Sequence, residues 1–126
     1  EPIEMLIRRV ARERGQEPAL VMAYCRQESS LNPSASNPSD PSYGLMGIQV
    51  SPWLSYFGYP EDSNLLYNPE FNVNVGCQIL SYFQERGFSL PDQADIYNVG
   101  ETLWKKGIRN VSYRNSVNAF YRSYSA

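Results

Sequence analysis

The side chain best placed to do chemistry is Glu28. It is followed at once by Ser29 and closes the run Pro18-Ala19-Leu20-Val21-Met22-Ala23-Tyr24-Cys25-Arg26-Gln27. The chain has no histidine. That removes His general bases, Ser-His-Asp triads, Cys-His dyads and His metal sites, and leaves acid–base work mainly to carboxylates. Among the 13 acidic residues, Glu28 stands apart by its neighbours. Pro18 suits the first position of a helix, and nothing interrupts that helix before Pro33. Leu20, Tyr24 and Glu28 are spaced by four, so they share one face. A carboxyl beside packed apolar groups is partly desolvated, its neutral form is favoured and its pKa rises, as a general acid near neutral pH requires. A negative charge at a helix C-terminus is unfavourable by the helix dipole, so stability alone gives no reason for it there.

The other elements are those that must position Glu28. Pro2 to Arg14 reads as an amphipathic helix with Ile3, Leu6, Ile7 and Val10 on one face and Gly15 as its stop. Asn32 to Ser42 is rich in Ser, Pro and Asn and reads as a structured loop beside a cleft. Gly44 and Gly47 bracket Leu45-Met46 and permit a tight turn and close approach by a ligand. Ser51-Pro52 reads as a cap and first helical residue for a short helix with Trp53, Leu54 and Phe57. Gly58 to Tyr67 reads as loop. Asn68-Pro69-Glu70 starts a helix running to about Arg86, whose stripe Phe71, Val75, Ile79, Phe83 marks it as central. Helices are also expected from Pro91 to near Gly100, from Glu101 to Lys106, and after the cap Asn110. Tyr97 and Asn98 fall at a helix end, where polar groups can reach a cleft.

Glu28-Ser29, then Gly44-Leu45-Met46 sixteen residues after the glutamate, then Tyr97-Asn98-Val99-Gly100, resembles the soluble lytic transglycosylase family, with a layout shared by goose-type lysozymes. The resemblance runs from about Leu20 to about Tyr124. It implies a mainly α, lysozyme-like domain over residues 1–126, with a small irregular β element after the helix that carries Glu28. It implies cleavage of peptidoglycan glycan strands with Glu28 as acid and then base, and no cofactor or metal. Ser29 would bond near the acetamido group or simply end the helix. Met46 would form part of an irregular wall. Tyr97 would orient or desolvate Glu28, and Asn98 and Tyr113 would line the cleft. The chain departs from the family at Gly44-Leu45-Met46-Gly47-Ile48-Gln49: the glutamine usual directly after the methionine comes two positions later. Gln49 either recovers its sugar-binding role through a different turn or does not.

A length of 126 residues is that of one domain and buries enough surface to fold without metal or disulfide. A net charge of −2 argues against an electrostatic grip on nucleic acid, although Lys105, Lys106, Arg109 and Arg114 cluster late in the chain. Ten tyrosines and two tryptophans supply rings of the kind saccharide sites favour. Cys25 and Cys77 either pair, in an oxidising compartment, or stay buried as thiols. No run reaches transmembrane length and no signal peptide is visible. Because the chain starts Glu1-Pro2, a removed leader or a further domain is compatible with it. The resemblance points to a monomer, alone or as part of a larger protein, in the bacterial cell envelope (periplasmic or extracellular) or a phage virion. Two rivals stand beside a transglycosylase. One is a hydrolytic muramidase, which needs a second carboxylate from Asp40, Glu61, Asp62, Asp92, Asp95 or Glu101. The other is a non-catalytic peptidoglycan-binding module, which has no use for a desolvated acid.

Overall fold

The computed structural model describes residues 1–126. Its helices are α1 (Ile3–Glu13), α2 (Pro18–Ser29), α3 (Trp53–Tyr56), α4 (Pro69–Glu85), α5 (Leu90–Val99), α6 (Glu101–Lys105) and α7 (Val111–Ser125). Two two-residue strands, β1 (Ser36–Asn37) and β2 (Ser42–Tyr43), pair antiparallel with Ser36 opposite Tyr43. The mainly α class and the small β element after the Glu28 helix are both as expected.

Local chemistry sets most boundaries. Asn68 caps α4 by accepting from the Phe71 amide at 3.0 Å, with Pro69 at the first turn. Asn110 caps α7 by accepting from the Tyr113 amide at 3.0 Å. Ser89 caps α5 through the Asp92 amide. α2 ends at Ser30 and Leu31, two non-glycine residues at φ 53° and 65°, which turn the chain sharply away just after Glu28.

Two expectations are corrected. Ser51 makes no cap bond, and Pro52 precedes the short α3 instead of opening it. The stretch expected as pure loop contains a 3-10 helix over Ser63–Tyr67, started by Asp62 accepting from the Asn64 amide at 2.9 Å and anchored by buried Leu66.

The core is shared by two helices. On α2 every residue from Ala19 to Cys25 is buried, with α1 on one side and α7 on another. On α4, Val75, Ile79 and Phe83 are buried as the stripe predicts, while Phe71 is only half-buried. Gly76 gives α4 a bare patch, but what fills it is the Met46 side chain: a Cβ at residue 76 would collide with Met46 Sδ. Cys25 and Cys77 are both buried and unpaired. Burial pushes both thiols up, Cys77 to about 12, so neither supplies a thiolate near neutral pH.

Candidate active site

The site is built around one tight turn. Tyr43 and Ile48 exchange backbone hydrogen bonds at 3.0 Å in each direction and close the segment between them, and the Gly47 amide donates to the Gly44 carbonyl at 3.1 Å. Gly44 and Gly47 have φ of 75° and 58°, which side chains rarely tolerate. A Cβ at Gly44 would strike the Asn72 side chain and the Leu66 carbonyl; one at Gly47 would strike Glu28 Oε1. The Gly47 backbone is thus pressed against the Glu28 carboxyl.

Three helices hold the turn, each through a different polar group. Ser29 at the end of α2 places its hydroxyl 2.8 Å from the Leu45 carbonyl and 3.0 Å from the Cys25 carbonyl. Asn72 of α4, fully buried, accepts from the Met46 amide at 2.8 Å and donates to the carbonyls of Tyr43 and Leu66 at 2.7 and 2.9 Å. Tyr97 of α5 donates to the Met46 carbonyl at 2.6 Å. Asn72 drew no attention in the sequence. The signal was present, because it lies one residue from Phe71 and four before Gly76, a polar residue set in the apolar band of α4.

Glu28 is half-buried at the rim of the turn. Its Oε2 accepts from the Tyr113 hydroxyl at 2.5 Å. Burial raises the carboxyl to about 7; the Tyr113 bond opposes the rise and the charge of Asp40 adds to it. Burial and the nearby Glu28 charge push the Tyr113 phenol well up, so it stays a donor throughout. Tyr97 stacks at a tilt on Tyr24, ring centroids 4.7 Å apart, and extends the apolar surface beside the acid.

A cleft of about 690 Å³ opens at Glu28. Asp40, Gln49, Tyr97 and Asn98 line it, together with Trp53, Tyr56 and Tyr82 as an aromatic wall. Trp53 packs edge-on to Tyr82 at 5.4 Å, and Tyr56 to Tyr82 at 5.3 Å. Such rings offer flat apolar faces of the kind that pack on sugar C–H groups.

The residues singled out from sequence therefore converge, with some roles exchanged. Tyr113, expected only to line the cleft, is the hydrogen-bond partner of Glu28, while Tyr97 bonds to the turn. The side chains of Ser29 and Met46 face inward, one tying the turn and the other filling the core against Gly76. Gln49 lies in the cleft and donates to Asp40 Oδ1 at 3.0 Å, and Asn98 accepts from the Asn110 amide group at 2.8 Å. No group of three or more Cys, Asp or Glu side chains is arranged to hold a metal ion.

The model of the transglycosylase SLT domain matches residues 5–120. The soluble lytic murein transglycosylase of Escherichia coli (strain K12) is 33% identical over 109 residues, covering 81% of this chain and 17% of that protein. The one from Salmonella typhimurium (strain LT2) is 30% identical over 124 residues, covering 94% and 19%. The chain spans less than a fifth of the length of these curated relatives. Among solved structures, the 70 kDa soluble lytic transglycosylase of Escherichia coli superposes with a TM-score of 0.74 at 22% identity, over 97% of this chain and 24% of the other. An inactive mutant of lytic transglycosylase Slt from Pseudomonas aeruginosa gives 0.72 at 21%, over 95% and 23%. Both likenesses concern the fold. The match over residues 5–120 decides the family: this chain belongs to the transglycosylase SLT domain family.

Proposed function

We propose that this domain is a peptidoglycan lytic transglycosylase that works with a single glutamate in the bacterial cell envelope. The observation that carries the reading is Glu28 itself, raised to about 7 by burial, held at 2.5 Å by Tyr113 and open to an aromatic-walled cleft. In its acid form Glu28 donates a proton to the glycosidic oxygen between N-acetylmuramic acid and N-acetylglucosamine. The C1–O bond breaks and the oxygen leaves with the glucosamine. The Glu28 carboxylate then takes the proton of the muramoyl 6-hydroxyl as that oxygen bonds to C1. The product is a 1,6-anhydro end and no water is consumed. A pKa near working pH suits a group that acts as acid and then as base.

A second reading rests on Asp40. It lines the same cleft, and its charge is one of the causes raising Glu28. As a base it would activate water and make the enzyme a muramidase. It is exposed on the loop between β1 and β2, with Gln49 as its hydrogen-bond donor, so it is less firmly fixed than Glu28. An intramolecular hydroxyl held near C1 needs no such base. Mass spectrometry of digested peptidoglycan separates the two. Anhydro ends, lighter by one water than reducing ends, are expected from the wild-type protein and from Asp40→Asn alike. Reducing ends that disappear in Asp40→Asn would replace the first reading by the second.

Gly47 has no functional group, yet Gly47→Ala is expected to slow glycan cleavage about 10²-fold. The new Cβ drives Glu28 off Tyr113, and displacements near 1 Å can have effects of this size. A turbidity assay on purified cell walls reads the loss, and an unaffected rate would mean that the turn does not fix the acid.

A further inference from the structure

Asp95 is the one fully buried acid, and the proposed chemistry makes no use of it. It sits on α5. Its Oδ2 lies 3.2 Å from Arg114 Nη1 of α7, and its Oδ1 has no partner. A carboxylate removed from water with a single donor is a poor way to stabilise a fold, since apolar residues of similar volume usually do as well or better. Its position along the chain gives it another meaning. Two residues after Asp95 comes Tyr97, which holds the Met46 carbonyl. One residue before Arg114 comes Tyr113, which holds Glu28. The ion pair thus joins α5 to α7 at the level where each helix sends a tyrosine into the site.

The N-terminal end of α7 is fastened by polar groups. Of the helix's 15 residues only Tyr113 and Val117 are fully buried; Phe120, Tyr121 and Tyr124 pack half-buried on the core farther along, away from the turn that carries Tyr113. Its first turn is tied to α5 by the Asn110–Asn98 bond at 2.8 Å and by Arg114–Asp95. Rotation of α7 sweeps the Tyr113 hydroxyl, at the far end of a long ring, past a contact of 2.5 Å.

We propose that Asp95 is a positioning residue: its ion pair with Arg114 sets the rotation of α7 so that the Tyr113 hydroxyl meets Glu28. This rests on the role proposed for Glu28, but its test has a readout that needs no substrate. The variant is the apolar replacement of both partners, Asp95→Leu with Arg114→Met. Its thermal midpoint should stay within about 4 °C of wild type. If glycans are cleaved, kcat should fall about 10- to 100-fold with KM unchanged.

The substrate-free readout is the Glu28 carboxyl titration, followed by carbon NMR. The groups facing Glu28 are Tyr24 and Cys25 from α2, Tyr97 from α5, Tyr113 from α7 and Asp40 from the hairpin. The variant keeps all of them. Because the Tyr113 bond lowers the Glu28 midpoint, loosening it moves that midpoint upward from about 7, as Tyr113→Phe should. Added to Tyr113→Phe, the apolar pair should produce no further movement. A folded variant with the wild-type midpoint, or additive movements, overturns the proposal. If the double replacement does not fold, Asp95→Asn serves instead: it keeps the shape, weakens the pair and should move the midpoint part of the way, and no movement again overturns the proposal. A wild-type protein that cleaves no glycan would remove the enzymatic reading and leave this titration to decide for itself.

Discussion

Glu28→Gln is expected to lower glycan cleavage about 10²- to 10⁴-fold and, at the same time, to make the folded domain more stable in alkaline solution. The amide keeps the shape and can still accept from Tyr113, but it has no proton to give and none to take back. The stability change follows from the same burial. The folded pKa of Glu28 is about 7 against an ordinary 4.5. A raised folded pKa means that the fold favours the protonated form. The stability this gives is fully present below pH 4.5 and is lost as pH rises through 7. Because Glu28 is half-buried, the loss is on the order of 2 kcal/mol, below what the full shift would give. Glutamine has no charge to bury. Urea unfolding should therefore find the variant more stable at about pH 8.5 and indistinguishable from wild type near pH 4. The wild-type cleavage rate should fall above about pH 7 as the acid form is depleted. A variant that retains a tenth of the activity, or that is no more stable at alkaline pH, would sink the assignment.

The second large effect lies away from the acid. Asn72→Leu is expected to destabilise the domain by about 3–5 kcal/mol and to abolish activity with it. Leucine has nearly the right volume, so packing is not the issue. The Met46 amide loses its acceptor and the Leu66 carbonyl loses a donor in a fully buried setting, and the half-buried Tyr43 carbonyl keeps only its bond from the Ile48 amide. Each buried polar group left without a partner costs about 1–3 kcal/mol. Thermal and urea unfolding measure the first effect, and wall turbidity measures the second. A variant that melts with wild type would show that water enters to replace the amide.

What could be read from the sequence was what short-range chemistry controls. Asn68 and Asn110 announce their helices because a cap acts three residues ahead. Glu28 announces itself because the face it shares with Leu20 and Tyr24 is set by helix geometry alone. Ser51-Pro52 carries the same kind of signal, yet α3 begins without a side-chain cap. The contacts that make the site were not legible, because they join distant segments. Tyr113 meets Glu28 across 85 residues, Tyr97 meets Met46 across 51, and Asn72 meets Met46 across 26. A motif can bring two tyrosines into the same cleft; which one touches the acid depends on how α5 and α7 are rotated. The 3-10 helix over Ser63–Tyr67 escaped for a related reason: part of its support is the Leu66 carbonyl bonded to Asn72.

The turn from Gly44 to Gly47 also bears on how this scaffold can diversify. Its polar groups end on α2, α4 and α5, so opening it means separating helices of the core. Its amides should exchange with solvent only when the whole domain unfolds, on the slowest timescale the molecule has. The exposed rim of the cleft is different. Asp40 and Gln49 are exposed and bonded to each other, and Tyr56 stands largely in solvent. Mutations of Asp40 and Gln49 remove exposed side chains bonded only to each other and leave the acid where it is. The cleft therefore has a floor that selection can scarcely move and a rim that it can rewrite freely. Preference for different glycan strands can drift at the rim across generations, while the proton donor beneath keeps one geometry.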